Sequence, residues 1–187
     1  MATPHHRSAD ELAAGLAAIE QAPAEAGTLQ LVVRRPEVDA REVLAEGRLD
    51  PAAGLVGDSW SARPSRRPDR LPDHDKQLNI MSARAASLIA GERDHWALAG
   101  DQLYVDLDLS IDNLPTGARL AIGDAVVEVT APPHNGCAKF QQRFGADALR
   151  FVNSDAGKRL RLRGLNARVI RAGTVRPGDA VRRLPPA

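Results

Sequence analysis

The sequence predicts a mainly β fold, a closed or nearly closed barrel of short strands with helices at its periphery. Three observations carry that prediction. Short apolar runs alternate with polar residues through the second half, Gly- and Pro-rich turns separate them, and only a few stretches repeat at helical spacing. The 187 residues allow one domain of ordinary size, whose core needs neither disulfide nor structural metal. A hydrophobic content of 43% with 26% charged residues is globular rather than disordered composition.

The chain divides into a helical extension over 1–26 and a barrel domain over 27–187. Ser8 followed by Glu11 has the spacing of a capping box, and Leu12, Leu16 and Ile19 recur at helical intervals until Pro23. After Gly27, the run Leu29-Gln30-Leu31-Val32-Val33 predicts a first strand with Leu29, Leu31 and Val33 on one face, stopped by Pro36. Residues 37–46 suggest a short helix closed by Gly47, and Asp50-Pro51, Gly54, Gly57 and Asp58 punctuate the adjoining stretch. The segment 63–70, with Arg63, Arg66, Arg67 and Arg70 among prolines, has the composition of a mobile basic loop. Gln77-Leu78-Asn79-Ile80-Met81 predicts a strand, and 83–90 a buried helix before Gly91.

Leu103-Tyr104-Val105-Asp106-Leu107-Asp108-Leu109 alternates strictly, which puts the aliphatics inward and Tyr104, Asp106 and Asp108 outward. Pro115-Thr116-Gly117 and Gly123-Asp124 bracket further apolar pieces, among them Ala125-Val126-Val127-Glu128-Val129. Arg159-Leu160-Arg161-Leu162-Arg163 alternates again, residues 167–171 are strand-like, and Arg176-Pro177-Gly178-Asp179 has tight-turn composition.

Composition also bounds function. Aromatic residues make up only 3%, which leaves no stacking platform for single-stranded bases, and the formal charge of +1 supplies no global field toward anionic polymers. Nucleic acid is therefore not expected as a partner. A lone cysteine cannot form an intramolecular disulfide and suits a reducing compartment. The polar N-terminus lacks a secretory apolar stretch, and no run reaches membrane-spanning length, so cytoplasm rather than membrane is expected.

Chemistry concentrates in Thr130-Ala131-Pro132-Pro133-His134-Asn135-Gly136-Cys137-Ala138-Lys139-Phe140. Two prolines end a strand, Gly136 permits a sharp turn, and a short helix is expected over 138–144. Cys137 then stands near a helix N-terminus, where unpaired N–H groups and the helix dipole favour an anion such as a thiolate. Lys139, Arg143 and His134 would add positive charge. A thiolate is both a soft metal ligand and a nucleophile. The competing reading is a small buried hydrophobe, a common fate of free cysteine. Zinc through His134 and Cys137 lacks further cysteine ligands. On one strand face, Arg159, Arg161 and Arg163 would form an anion grip, with Arg163 beside Gly164 the foremost member, or else an ordinary exposed basic face. His74 and His95 are isolated.

Several stretches together resemble the MOSC family, the molybdenum cofactor sulfurase C-terminal-like domains. These are Gly54-Leu55-Val56-Gly57-Asp58, Asp101-Gln102-Leu103 with Asp108-Leu109-Ser110, Leu114-Pro115-Thr116-Gly117 through Ile122-Gly123, and Val127-Glu128-Val129-Thr130 leading to Gly136-Cys137. Gly164, Arg168-Val169, Gly173-Thr174-Val175 and Gly178-Asp179-Ala180-Val181 resemble the closing strands. Gly136 stands where many members carry proline. The resemblance implies a MOSC-type β-barrel and a molybdenum cofactor (molybdopterin) whose metal is ligated by Cys137. It further implies His134, Asn135, Lys139, Arg143 and Arg163 as cofactor-binding residues. By resemblance the activity is reduction of N-hydroxylated small substrates, with electrons from a separate donor protein because no flavin, haem or iron–sulfur motif is present. The alternatives are a sulfur carrier charged at Cys137 by a sulfur-donor protein, or a non-catalytic binding module with Cys137 merely packed.

Overall fold

A computed structural model describes residues 5–62, 69 and 71–186. The basic segment with Arg63, Arg66, Arg67 and Arg70 lies outside the described residues. In chain order the elements are α1 (Ala9–Glu20), β1 (Ala26–Arg34), β2 (Glu42–Leu44), β3 (Gly47–Asp50), β4 (Gly54–Leu55), β5 (Leu78–Ser82), α2 (Ala83–Ala90), β6 (Leu103–Asp106), β7 (Arg119–Ile122), β8 (Ala125–Val129), α3 (Ala138–Asn153), α4 (Asp155–Arg159), β9 (Leu165–Arg171), β10 (Gly173–Val175) and β11 (Ala180–Arg183), with short 3-10 turns between.

Seven strands close the barrel in the order β11-β7-β8-β9-β5-β6-β1, and β1 pairs back onto β11 through Ala26↔Arg182 and Thr28↔Ala180. All these pairings are antiparallel except β5–β6, which are linked by α2 and a 3-10 turn. A β10-β3-β4 sheet brings Leu49, Leu55 and Val175 into the barrel core beside Leu29, Ile80, Leu103, Val127 and Ala167.

A second core lies outside the barrel wall. Leu31, Val33, Met81 and Tyr104 turn outward and are covered by Leu12 of α1, Ile89 of α2 and Phe140 and Phe144 of α3. The capping box that starts α1 is present, with Glu11 N–H donating to Ser8 Oγ and Ser8 N–H to Glu11 Oε2. Strands β1, β5 and β6 are thus buried on both faces.

This two-sided burial corrects parts of the sequence reading. Tyr104 is fully buried, and its hydroxyl donates to the Trp96 carbonyl at 2.6 Å. A β-bulge between Leu29 and Leu31 breaks the strict alternation of β1, so Leu29 enters the barrel while Leu31 and Val33 face the helices. Residues 37–46 form turns and the short strand β2 rather than a helix, because β2 pairs with the end of β1 through Val32↔Leu44. Arg159, Arg161 and Arg163 do not share a strand: Ser154 caps α4 over Asp155–Arg159, and the turn after it places Arg161 at φ 49°. The helix expected over 138–144 continues to Asn153 beyond a break at Gly145, where φ is 92° and ψ 169°. Among the described residues no helix is long and apolar enough to cross a membrane.

Candidate functional site

The loop between β8 and α3 is fastened at both ends. Thr130 N–H donates to the Asn166 carbonyl at 3.0 Å, and Asn166 Nδ2 donates to the Pro132 carbonyl at 2.9 Å. At the other end, Asn153 brackets Gly136: the Gly136 N–H donates to Asn153 Oδ1 at 2.9 Å, and Asn153 Nδ2 donates to the Gly136 carbonyl at 3.2 Å. A proline at 136 would lose that donor. A Cβ there would also sit 2.8 Å from Leu149 and Val152.

Cys137 comes next as the N-cap of α3, with φ −130°, ψ 177° and its carbonyl accepting from Gln141 N–H at 3.0 Å. Its side chain is exposed and makes no capping bond. The packed-hydrophobe reading of this thiol is therefore corrected: the extended cap geometry turns it to solvent, while Phe140 and Phe144 take the buried face.

One helical turn apart on α3, Lys139 and Arg143 converge on Asp39. Lys139 Nζ lies 3.0 Å and Arg143 Nη2 3.0 Å from Asp39 Oδ1, and Arg143 Nη1 donates to the Leu98 carbonyl at 2.7 Å. The Lys139 ammonium, followed by the charges of Arg143 and Arg41, holds the Asp39 carboxyl below its ordinary range. Asp39 adopts φ 63°, a left-handed conformation uncommon outside glycine, which carries its carboxylate over α3.

Beneath the first turn of α3 lies a buried charged cluster. The Phe140 ring rests 5.0 Å from the Arg163 guanidinium. Arg163 Nη1 donates to Asp101 Oδ2 at 2.6 Å and Nη2 to the Ala99 carbonyl at 2.8 Å. Asp101 is completely buried, and burial raises its carboxyl against the opposing pull of Arg163. Its Oδ1 is 3.4 Å from His134 Nδ1, and the two are not aligned to share a hydrogen bond. Burial pushes the His134 imidazole well below its usual range, reinforced by the charges of Arg163 and Arg35. That direction works against the positive charge the sequence suggests for His134 beside Cys137.

The predicted residues thus fall into separate layers. Lys139 and Arg143 meet on the surface through Asp39, whereas His134 and Arg163 meet through Asp101 inside. Asn135 is exposed in the loop. Arg159 lies apart and pairs with Glu20 and Asp112. Sequence reasoning missed Asp39, Asp101 and Arg35 as site residues. Asp39 lies in a segment whose sequence suggests a helix, and only the short Asp101-Gln102-Leu103 resemblance points toward the buried carboxylate. No group of three or more His, Cys, Asp or Glu side chains able to hold a metal occurs among the described residues.

The fold is similar to solved structures. Against the YUAD protein from Bacillus subtilis the TM-score is 0.60 at 16% identity, covering 83% of this chain and 94% of that one. Against YiiM from Escherichia coli it is 0.55 at 18% identity, covering 86% and 71%. Against YiiM from Geobacillus stearothermophilus it is 0.54 at 16% identity, covering 85% and 73%. No curated protein sequence matches the chain. Residues 68–182 match the MOSC domain, which spans more than half of the sequence and includes the barrel strands from β5 onward, the Cys137 loop and α3. On that match the chain belongs to the MOSC domain family.

Proposed function

We propose that this protein binds a molybdenum cofactor through Cys137 and reduces small N-hydroxylated or related substrates. The observation that carries the reading is the exposed Cys137 thiol at the head of α3, with Lys139 and Arg143 on the same helix. The donor set fits such a group. With no self-sufficient metal cluster among the described residues, a metal at this sulfur must bring its other ligands with it, which suits a centre carried on an organic molecule. When bound, that group supplies two-electron redox chemistry.

The chain's own part is to hold and orient. Cys137 offers one soft ligand, and Lys139 and Arg143 hold the anionic tail once Asp39 yields its place. Exchange of carboxylate for phosphate there costs little, because Lys139 and Asp39 are 59% and 58% exposed and pairs of that kind are weak. His134 and Asn135 shape the loop, and Arg163 supports α3 from below through Phe140. Electrons come from a separate donor protein in a reducing cytoplasm.

Metal analysis of protein made in a cofactor-producing host tests the reading. Molybdenum in the wild type and not in Cys137→Ala supports it, and equal content in both refutes it. A second reading, a carrier holding a persulfide on Cys137, draws on the same exposure together with the absence of a capping bond to the sulfur. Incubation with a cysteine desulfurase and free cysteine would then add the mass of one sulfur to the wild type and none to Cys137→Ala.

A further inference from the structure

Between residues 130–135 and the α4 turn lies a cleft of about 310 Å³. Cys137, Lys139 and Arg143 do not line it. Ile111, Pro132, Val152 and Leu165 give it an apolar wall, and Lys158 and Arg161 are its basic lining residues. No Asp or Glu is among its lining residues.

The charge balance of Arg161 sets it apart. Among the described residues two arginines are buried, and each is matched by an internal carboxylate, Arg35 by Asp58 and Arg163 by Asp101. Arg161 is half-buried, yet among the described residues no carboxylate pairs with it or with Lys158. Its Nη1 donates to the Leu114 carbonyl at 2.6 Å and approaches the Leu109 carbonyl at 3.4 Å, which fixes the guanidinium but leaves its charge uncompensated. Burial accordingly lowers its pKa. A partly desolvated cation without a counter-charge is costly, and an anion in the cleft would relieve that cost. The residue is also held at φ 49°, in the left-handed region that side chains avoid, so the backbone is committed to this placement.

We propose that this cleft binds a small organic carboxylate, its anionic end on Arg161 and Lys158 and its carbon body against Ile111, Pro132, Val152 and Leu165. The guanidinium favours a planar carboxylate. An apolar wall in a cleft this small favours a compact hydrocarbon body over a bare inorganic ion. The site is separate from the cations proposed for the cofactor and does not depend on any group at Cys137. It does share His134 and Asn135 with the loop that carries the thiol, so an occupant there contacts that loop.

Titration with benzoate, benzamide and inorganic phosphate, monitored by calorimetry and by amide shifts in a labelled sample, tests the proposal. Benzoate should bind with a Kd in the millimolar range and move amides over 130–135 and 157–161. Benzamide and phosphate should each bind about tenfold more weakly. Lys158→Ala, an exposed change that leaves the fold alone, should weaken benzoate roughly three- to fivefold. Arg161→Gly, which keeps the backbone conformation, should abolish binding. Benzamide as tight as benzoate would mean the cleft reads only carbon, and phosphate as tight as benzoate would mean a simple anion site. Either result overturns the proposal. So does the absence of benzoate binding, an amide response elsewhere on the protein, or an affinity unchanged in Lys158→Ala.

Discussion

Asp58 is the acceptor on which a buried cation depends, and Asp58→Ala would strand it. Asp58 Oδ2 accepts from Arg35 Nε at 2.9 Å and from the Arg35 main-chain N–H at 3.0 Å, and Oδ1 accepts from Arg35 Nη2 and from Trp60 N–H, each at 3.0 Å. The two side chains are 6% and 0% exposed. Arg35 cannot escape readily to water, since Nη1 is also held by Asn79 Oδ1 at 3.0 Å and the Gly100 carbonyl at 2.8 Å. Removing one partner of a buried pair costs about 3–5 kcal/mol, against a total domain stability on the order of 5–15 kcal/mol. For a chain of this length about 2–4 °C of Tm is lost per kcal/mol, so Tm should fall by about 6–20 °C. The neighbouring pair Arg34–Glu42, 2.7 Å apart but 36% and 45% exposed, is the contrast, and Glu42→Ala should cost about 0–1 kcal/mol. Urea denaturation and calorimetry of the three proteins would measure both effects. Should Asp58→Ala lie within about 1 kcal/mol of the wild type, the reasoning that this pair is dry and Arg35 immobile is wrong.

Alkaline stability offers a second check through Tyr104, the chain's single tyrosine. Burial raises its phenol well above the ordinary value of 10.0, so the folded state keeps the proton that an unfolded chain would release. The resulting stability is complete below that value and declines as pH rises beyond it. Tyrosinate absorbance should therefore appear only together with loss of the far-ultraviolet dichroism, and ionisation in a still-folded protein would contradict the burial. Tyr104→Phe leaves the Trp96 carbonyl without its donor and should destabilise by about 1–3 kcal/mol in urea denaturation. Gly164→Ala should be more damaging, because φ is 102° there and a Cβ would lie 2.4 Å from the Ile80 carbonyl oxygen. A loss of at least about 1–3 kcal/mol is expected from the backbone strain alone, measured by thermal unfolding. Leu12→Ala removes a fully buried side chain from the layer joining α1 to the barrel and should cost about 2–5 kcal/mol in the same assay, while a near-neutral result would show α1 to be a dispensable appendage.

Local signals in the sequence translated well into local structure. The Ser8–Glu11 cap, the strand over Leu78–Ser82 and the helix over Ala83–Ala90 all involve interactions within a few residues, and each is present. The order of the MOSC-like pieces was sufficient for the barrel and its family. Period-two patterning failed where both faces of a strand are covered, since Tyr104 reads as a solvent-facing residue until α2 and α3 are known to lie over it. It failed again at Arg159 to Arg163, where the Ser154 cap and a left-handed turn override an alternating pattern. At the candidate site, Cys137, Lys139 and Arg143 were legible because they share one loop and one helix. The roles of Asp39, Asp58 and Asp101 were not, because each is defined by a partner 23 to 104 residues away, a separation no local window spans.

The seam between β1 and β11 joins nearly the two extremes of the described chain, with Gly27 opposite Val181. During synthesis the cylinder cannot be completed until its last stave has left the ribosome, so the preceding strands must wait with an open flank exposed to other chains. A permuted gene that tethers residue 186 to residue 5 and opens the Gly117 turn instead should make that seam a shorter-range contact, with only the tether and α1 between its two strands. Faster refolding and less aggregation at equal stability would be the signature.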